Sequence, residues 1–184
     1  MTTRPSLIRV LIADDNRSVR KGLRLQLEAA GGIQVIGEVS NGVDAVAVAR
    51  RERADVVLMD LQMPGMTGIE ATRELTRPTS EPPIAVIVMT SFSLDGYVAD
   101  ALDAGARGYL LKSHDSDQLL TAIKAAMRGE ALLSGMITAP VLREFMRRGA
   151  TNPETIARLS TAERRVVAVL SSGITSNEQI AEHL

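Results

Sequence analysis

The chain has 184 residues, 45% of them hydrophobic, and a formal net charge of −1. That length suits one ordinary domain plus a smaller piece, and no global basic field marks a nucleic-acid binder. Cysteine is absent, which excludes disulfides, thiol catalysis and Cys-based zinc sites. Residues 1–6 hold no signal-peptide core and no stretch reaches membrane-spanning length, so a cytoplasmic protein without membrane association is expected. With two Tyr and two Phe in all, the core must be built from Val, Leu, Ile, Ala and Met.

Ile8–Ala13 reads as a buried strand. Asn16 can cap a helix running to about Ala30, with Val19, Leu23, Leu27 and Ala30 on one face and Gly31-Gly32 as its stop. Residues 33–39 form a second strand, interrupted by Gln34, Gly37 and Glu38. Asn41-Gly42 turns into a helix over 43–51, and 55–59 is the third strand. A third helix covers about 67–75, and the prolines of 77–83 make a loop. Residues 84–89 are the fourth strand, about 94–104 the fourth helix, and 107–111 the fifth strand. Asp115 or Ser116 caps a fifth helix that runs to about Met127. Five βα units predict an α/β fold: a five-stranded, doubly wound parallel sheet with strand order 2-1-3-4-5.

That topology gathers the chemistry-bearing residues. Asp14-Asp15, Asp60, Thr90 and Lys112 each follow a different apolar run, so they share the carboxyl edge of the sheet, where ligands bind in such folds. Strand one lies beside strand three, which brings the three acids together. Packed carboxylates repel, so they should hold a cation or a raised pKa. The hard oxygen set suits Mg²⁺, which keeps waters and phosphate oxygens among its ligands. A carboxylate can attack a phosphoryl group to give an acyl phosphate, while a lysine and a hydroxyl neutralise and hydrogen-bond the transferring oxygens. An acid pair after a strand is by itself usually a solvated loop or cap, and a lone Thr or Lys there says little. Their joint occurrence at four strand ends carries the reading.

The pattern Asp14-Asp15, Asp60 with Met63-Pro64-Gly65, Thr90, and Gly108-Tyr109-Leu110-Leu111-Lys112 resembles the receiver domain of two-component response regulators, over about residues 7–130. The resemblance implies a flavodoxin-like fold with Asp60 as phosphoacceptor. It implies Mg²⁺ held by Asp15 and Asp60 directly, by Asp14 through water and by the Gln62 backbone carbonyl. Thr90 and Lys112 would bind the phosphoryl group, and Tyr109 would rotate with Thr90 as a switch. A histidine kinase is the implied donor.

After Gly129 the βα alternation ends. Residues 132–135 read as a short link and 138–147 as a helix, within a linker over 131–157. From 158 a capping signature, Ser160-Thr161-Ala162-Glu163, opens an amphipathic helix, and another starts near Ser176-Asn177. This segment resembles the start of a LuxR-type helix-turn-helix, as in NarL/FixJ-like transcriptional response regulators. Its turn, Ile174-Thr175-Ser176-Asn177, is slightly longer than the family's. The sequence stops at Leu184, before a recognition helix, so base readout is expected to need a fuller output module, although Arg147, Arg148, Arg164 and Arg165 could still meet phosphates. The expectation is a phosphorylation-dependent transcription regulator that homodimerises and binds DNA through an intact module. It would not be an enzyme beyond its own phosphorylation and dephosphorylation. A freestanding receiver acting as a relay or protein-binding switch is the alternative. A metal-dependent phosphatase would use the same chemistry, but Gln62 stands where such enzymes usually place a second acid.

Overall fold

The computed structural model describes residues 7–78, 83–91, 100–113, 116–130 and 132–133. Its elements are β1 (Ile8–Ala13), α1 (Arg17–Ala30), β2 (Ile33–Val39), α2 (Gly42–Arg51), β3 (Val56–Asp60), α3 (Gly68–Thr76), β4 (Ala85–Thr90), β5 (Gly108–Leu111), α4 (Ser116–Met127) and β6 (Leu132–Leu133). Residues 100–103 are also helical, the described end of the helix expected over 94–104. The proposed Asp115 cap, the linker helix and the helix-turn-helix lie outside the described residues.

All strand pairings are parallel, in the order β2-β1-β3-β4-β5-β6. The first five follow the order expected from sequence. The sixth is a correction. Leu132-Leu133, read as a plain link, pairs its backbone with Gly108 and Tyr109, because β5 would otherwise leave its outer hydrogen-bonding edge unpaired.

Two apolar layers sandwich the sheet, as buried parallel strands require. On one face Leu11, Ala13, Val57, Met59, Val86 and Val88 pack against Ala45 and Ala49 of α2 and Ala71 and Leu75 of α3. On the other, Val10, Ile12, Leu58, Ile87 and Met89 meet Leu23 and Leu27 of α1 and Leu119 and Ile123 of α4. The central strands therefore carry continuous apolar runs, with polar residues held to their ends.

Three local features position the carboxyl edge. The Asn16 side chain caps α1 by accepting from the Ser18 and Val19 amides at 2.9 and 3.4 Å. Thr67 and Glu70 form a reciprocal capping box at the start of α3. In β2 the register against β1 slips by one: Val35 faces Val10, but Gly37 faces Leu11, leaving Ile36 as the extra residue. That bulge accounts for the irregular pattern of the strand.

Candidate functional site

Asp14 and Asp15 leave the end of β1, Asp60 is the last residue of β3, Thr90 the last of β4, and Lys112 follows β5. The third strand was expected to end at Met59; its ladder instead continues one residue, pairing Asp60 with Met89. Since β1 and β3 are hydrogen-bonded neighbours, the acids converge: one carboxylate oxygen from each of Asp14, Asp15 and Asp60 lies within 4.8 Å of the others. Asp14 and Asp60 are buried, at 1% and 6% exposure, while Asp15 faces solvent.

Lys112 bridges the buried pair. Its Nζ is 2.6 Å from Asp14 Oδ2 and 3.0 Å from Asp60 Oδ2. The Lys112 amide donates to the Thr90 carbonyl at 2.6 Å, which fixes the lysine beside the buried end of β4. The Asp14 carboxylate also accepts the Asn16 amide at 2.9 Å. Gln62 is exposed and joins the site through its backbone N–H, which donates to the Asp60 carboxylate.

Burial pushes the Asp60 carboxyl above its ordinary range, and the negative Asp14 adds to this. The Lys112 ammonium and the Gln62 amide hold it partly down. For Lys112 burial pulls downward, but its hydrogen bonds to Asp14 and Asp60 outweigh that, and the net shift is upward. The ammonium is thus firmly charged and serves as the counter-ion of the cluster. Tyr109 is fully buried. Its phenol is pushed up to about 12, chiefly by burial. The Thr90 side chain is its polar neighbour.

The loop after Asp60 depends on glycine twice. Gly65 takes φ 77° in the turn, a left-handed conformation that glycine adopts without steric cost. Gly68 opens α3 against the strand end: a Cβ there would lie 1.9 Å from the Asp60 carbonyl oxygen.

The sheet therefore brings Asp14, Asp15, Asp60, Thr90 and Lys112 to one edge, while Tyr109 lies within β5, buried in the core, and Arg147, Arg148, Arg164 and Arg165 fall outside the described residues. The donor set, hard carboxylate oxygens at close range, fits a divalent cation such as Mg²⁺. Sequence reasoning missed Arg20. Its Nη1 donates to the carbonyls of Asp14 and Asp15 at 2.7 and 3.2 Å. An arginine in a surface helix gave no signal of this.

The response regulator receiver domain family matches residues 10–124. The chain is 41% identical over 178 residues to the transcriptional regulatory protein LiaR of Bacillus subtilis, an alignment covering 97% of this chain and 82% of that protein. It is 35% identical to the response regulator UvrY of Escherichia coli, over 97% of this chain and 80% of that one. The crystal structure of a LuxR-family two-component response regulator from Aurantimonas superposes with a TM-score of 0.69 at 32% identity, covering 76% of this chain and 98% of that chain. The matched segment contains all the clustered acids together with Thr90, Tyr109 and Lys112, and the chain belongs to the two-component response regulators, with a receiver domain over residues 10–124.

Proposed function

We propose that the protein accepts a phosphoryl group on Asp60 from a histidine kinase and thereby switches homodimerisation and DNA binding in transcription control. One observation carries this reading: a buried carboxylate ends β3 with a charged lysine 3.0 Å away and two further acids beside it. The side chain is thereby offered as a nucleophile with its counter-charge in place.

In the proposed step an Asp60 carboxylate oxygen attacks phosphorus and a new O–P bond forms. The P–N bond of a phosphohistidine breaks, and its electron pair leaves with the imidazole nitrogen, which takes a proton from solvent. The product is an acyl phosphate. Lys112 offers its ammonium to the phosphoryl oxygens and Thr90 its hydroxyl. Asp14, Asp15 and Asp60, with the Gln62 carbonyl, would hold Mg²⁺, which when bound supplies further neutralisation of phosphoryl charge. Asp60 must be ionised to act, so relief of its raised pKa by nearby cations is part of the design.

The added charge draws the Thr90 hydroxyl towards Asp60 and holds Lys112, already 3.0 Å away, against it, while Tyr109, already buried beside Thr90, repacks with the movement. The surface formed by β5 and α4 then takes up its dimerising arrangement. A two-fold dimer matches paired DNA half-sites. Alignment with LiaR and UvrY over 97% of the chain extends beyond the receiver, which supports transcriptional output over a freestanding receiver. The protein works in the cytoplasm and turns over no separate substrate. No helix among the described residues is long and apolar enough to cross a membrane.

Sedimentation velocity with acetyl phosphate and Mg²⁺ tests the switch. The expected result is a shift from monomer to dimer in the wild type and none in Asp60→Asn. A phosphorylated wild-type protein that sediments unchanged contradicts the dimerisation step.

A further inference from the structure

Arg20 is placed against the rules of helix electrostatics. It sits in the first turn and a half of α1, which has no acidic residue in its first turn. A cation near a helix N-terminus is disfavoured by the macrodipole. Helical side chains tilt towards the N-terminus, and here the tilt carries the guanidinium back over the helix start to the acidic loop. The Nη1 donations to the Asp14 and Asp15 carbonyls leave the carboxylates of the same residues directed to the site.

The other side of the guanidinium is met by Glu38. Arg20 Nε lies 3.6 Å from Glu38 Oε2, and Arg24 pairs with the same carboxylate. The Arg20 side chain is only 15% exposed. Glu38 reaches it because of the β2 bulge. Residues on a strand alternate between faces, and one extra residue flips every later one. Without the slip after Val35, Glu38 would share the face of α2. With it, Glu38 pairs with Ile12 on the side of α1, and Gly37 takes the close approach to Leu11 and Val48 on the other face. Bulges commonly re-aim a side chain next to a functional site.

We infer that Arg20, aimed by Glu38, is a positioning residue that holds the Asp14-Asp15 turn in its cation-binding shape. The inference rests on the reading of this edge as a metal-assisted phosphoacceptor site. Arg20 has no role as a ligand: it ties down the backbone whose side chains are the ligands. Outer partners of this kind are typically worth about 10–100-fold in metal affinity.

The test is isothermal titration of Mg²⁺ into wild type, Arg20→Gln, Arg20→Lys and Glu38→Gln, without phosphodonor. Acetyl phosphate kinetics across Mg²⁺ concentrations and urea unfolding accompany it. Arg20→Gln is expected to weaken Mg²⁺ binding about tenfold or more, with a near-normal phosphorylation rate once Mg²⁺ saturates. Arg20→Lys, with one compact donor group, should recover part of the affinity, and Glu38→Gln should lose less than Arg20→Gln. Unchanged Mg²⁺ affinity in a folded Arg20→Gln, whatever its unfolding midpoint, overturns the inference. So does a loss of rate that saturating Mg²⁺ fails to restore. If Arg20→Gln does not fold, Glu38→Gln decides, since wild-type Mg²⁺ affinity there removes its aiming role. A wild type that binds Mg²⁺ yet takes no phosphoryl group would count against the phosphoacceptor reading, leaving the affinity comparison to judge Arg20 separately.

Discussion

Replacing Lys112 by Met should destabilise the fold in a strongly pH-dependent way. The ammonium lies 2.6 Å from Asp14 Oδ2 and 3.0 Å from Asp60 Oδ2, and the three side chains are 16%, 2% and 8% exposed. At an effective dielectric of about 20, each attraction is on the order of 6 kcal/mol, much of it cancelled by the cost of burying the ions. Removing one partner of such a buried pair typically costs about 3–5 kcal/mol, because the remaining charge keeps its burial penalty. Lys112→Met leaves two carboxylates facing each other, so a loss in that range is expected at neutral pH without Mg²⁺. The sign of the pH effect follows from Asp60, whose folded pKa is already raised by burial and loses a downward influence in the variant. A raised folded pKa contributes stability that is present below the unfolded pKa, about 4, and is lost as pH rises through the folded value. The deficit should therefore be small in mild acid and grow towards pH 7. Urea unfolding followed by far-ultraviolet circular dichroism at several pH values reads this directly. Adding Asp14→Asn to the variant should recover much of the loss. A neutral-pH deficit below about 1 kcal/mol, against the 3–5 expected, or a deficit that grows towards acid, refutes the view of Lys112 as the counter-ion of the cluster.

Other outcomes follow from the same geometry. Asp60→Asn should raise the urea midpoint of the metal-free protein at neutral pH, because the amide imitates the neutral form that burial favours, and the gain should vanish in acid; a lower midpoint at pH 7 contradicts the raised pKa. Gly68→Ala should cost about 2 kcal/mol or more by overpacking. Its Cβ meets the Asp60 carbonyl oxygen at 1.9 Å, and strand backbone yields poorly, so an unfolding midpoint equal to wild type would show that α3 shifts freely. Thr67→Ala should cost about 1 kcal/mol through loss of the capping box, with Thr67→Ser retaining most of it, as judged by chemical unfolding.

The acidic edge was legible because of topology. Once alternating strand and helix patterns fix a parallel sheet, residues that follow apolar runs must meet at one edge, and Asp14, Asp15, Asp60, Thr90 and Lys112 do. Asn16 as a cap was legible from local chemistry. The Thr67-Gly68-Ile69-Glu70 box had a readable signal in its spacing that the helix assignment passed over. Two other features had no such signal. The bulge at Ile36 exists only when β2 is paired against β1, so nothing in Ile33–Val39 alone tells which face Glu38 takes. Without that face, Arg20 is one exposed-looking arginine among many. The end of β3 moved to Asp60 because its ladder with Met89 outlasts the apolar run. A two-residue strand such as Leu132–Leu133 is too short for any periodicity, and its pairing is decided by the open edge of β5.

The central claim is that Asp60 is the phosphoacceptor. Intact-mass analysis after incubation with acetyl phosphate and Mg²⁺, comparing wild type with Asp60→Asn, tests it most directly. The account requires a single phosphoryl adduct on the wild type, labile to hydroxylamine as an acyl phosphate is, and none on the variant. An adduct of equal yield on Asp60→Asn, or a wild type that takes up no phosphoryl group, contradicts it.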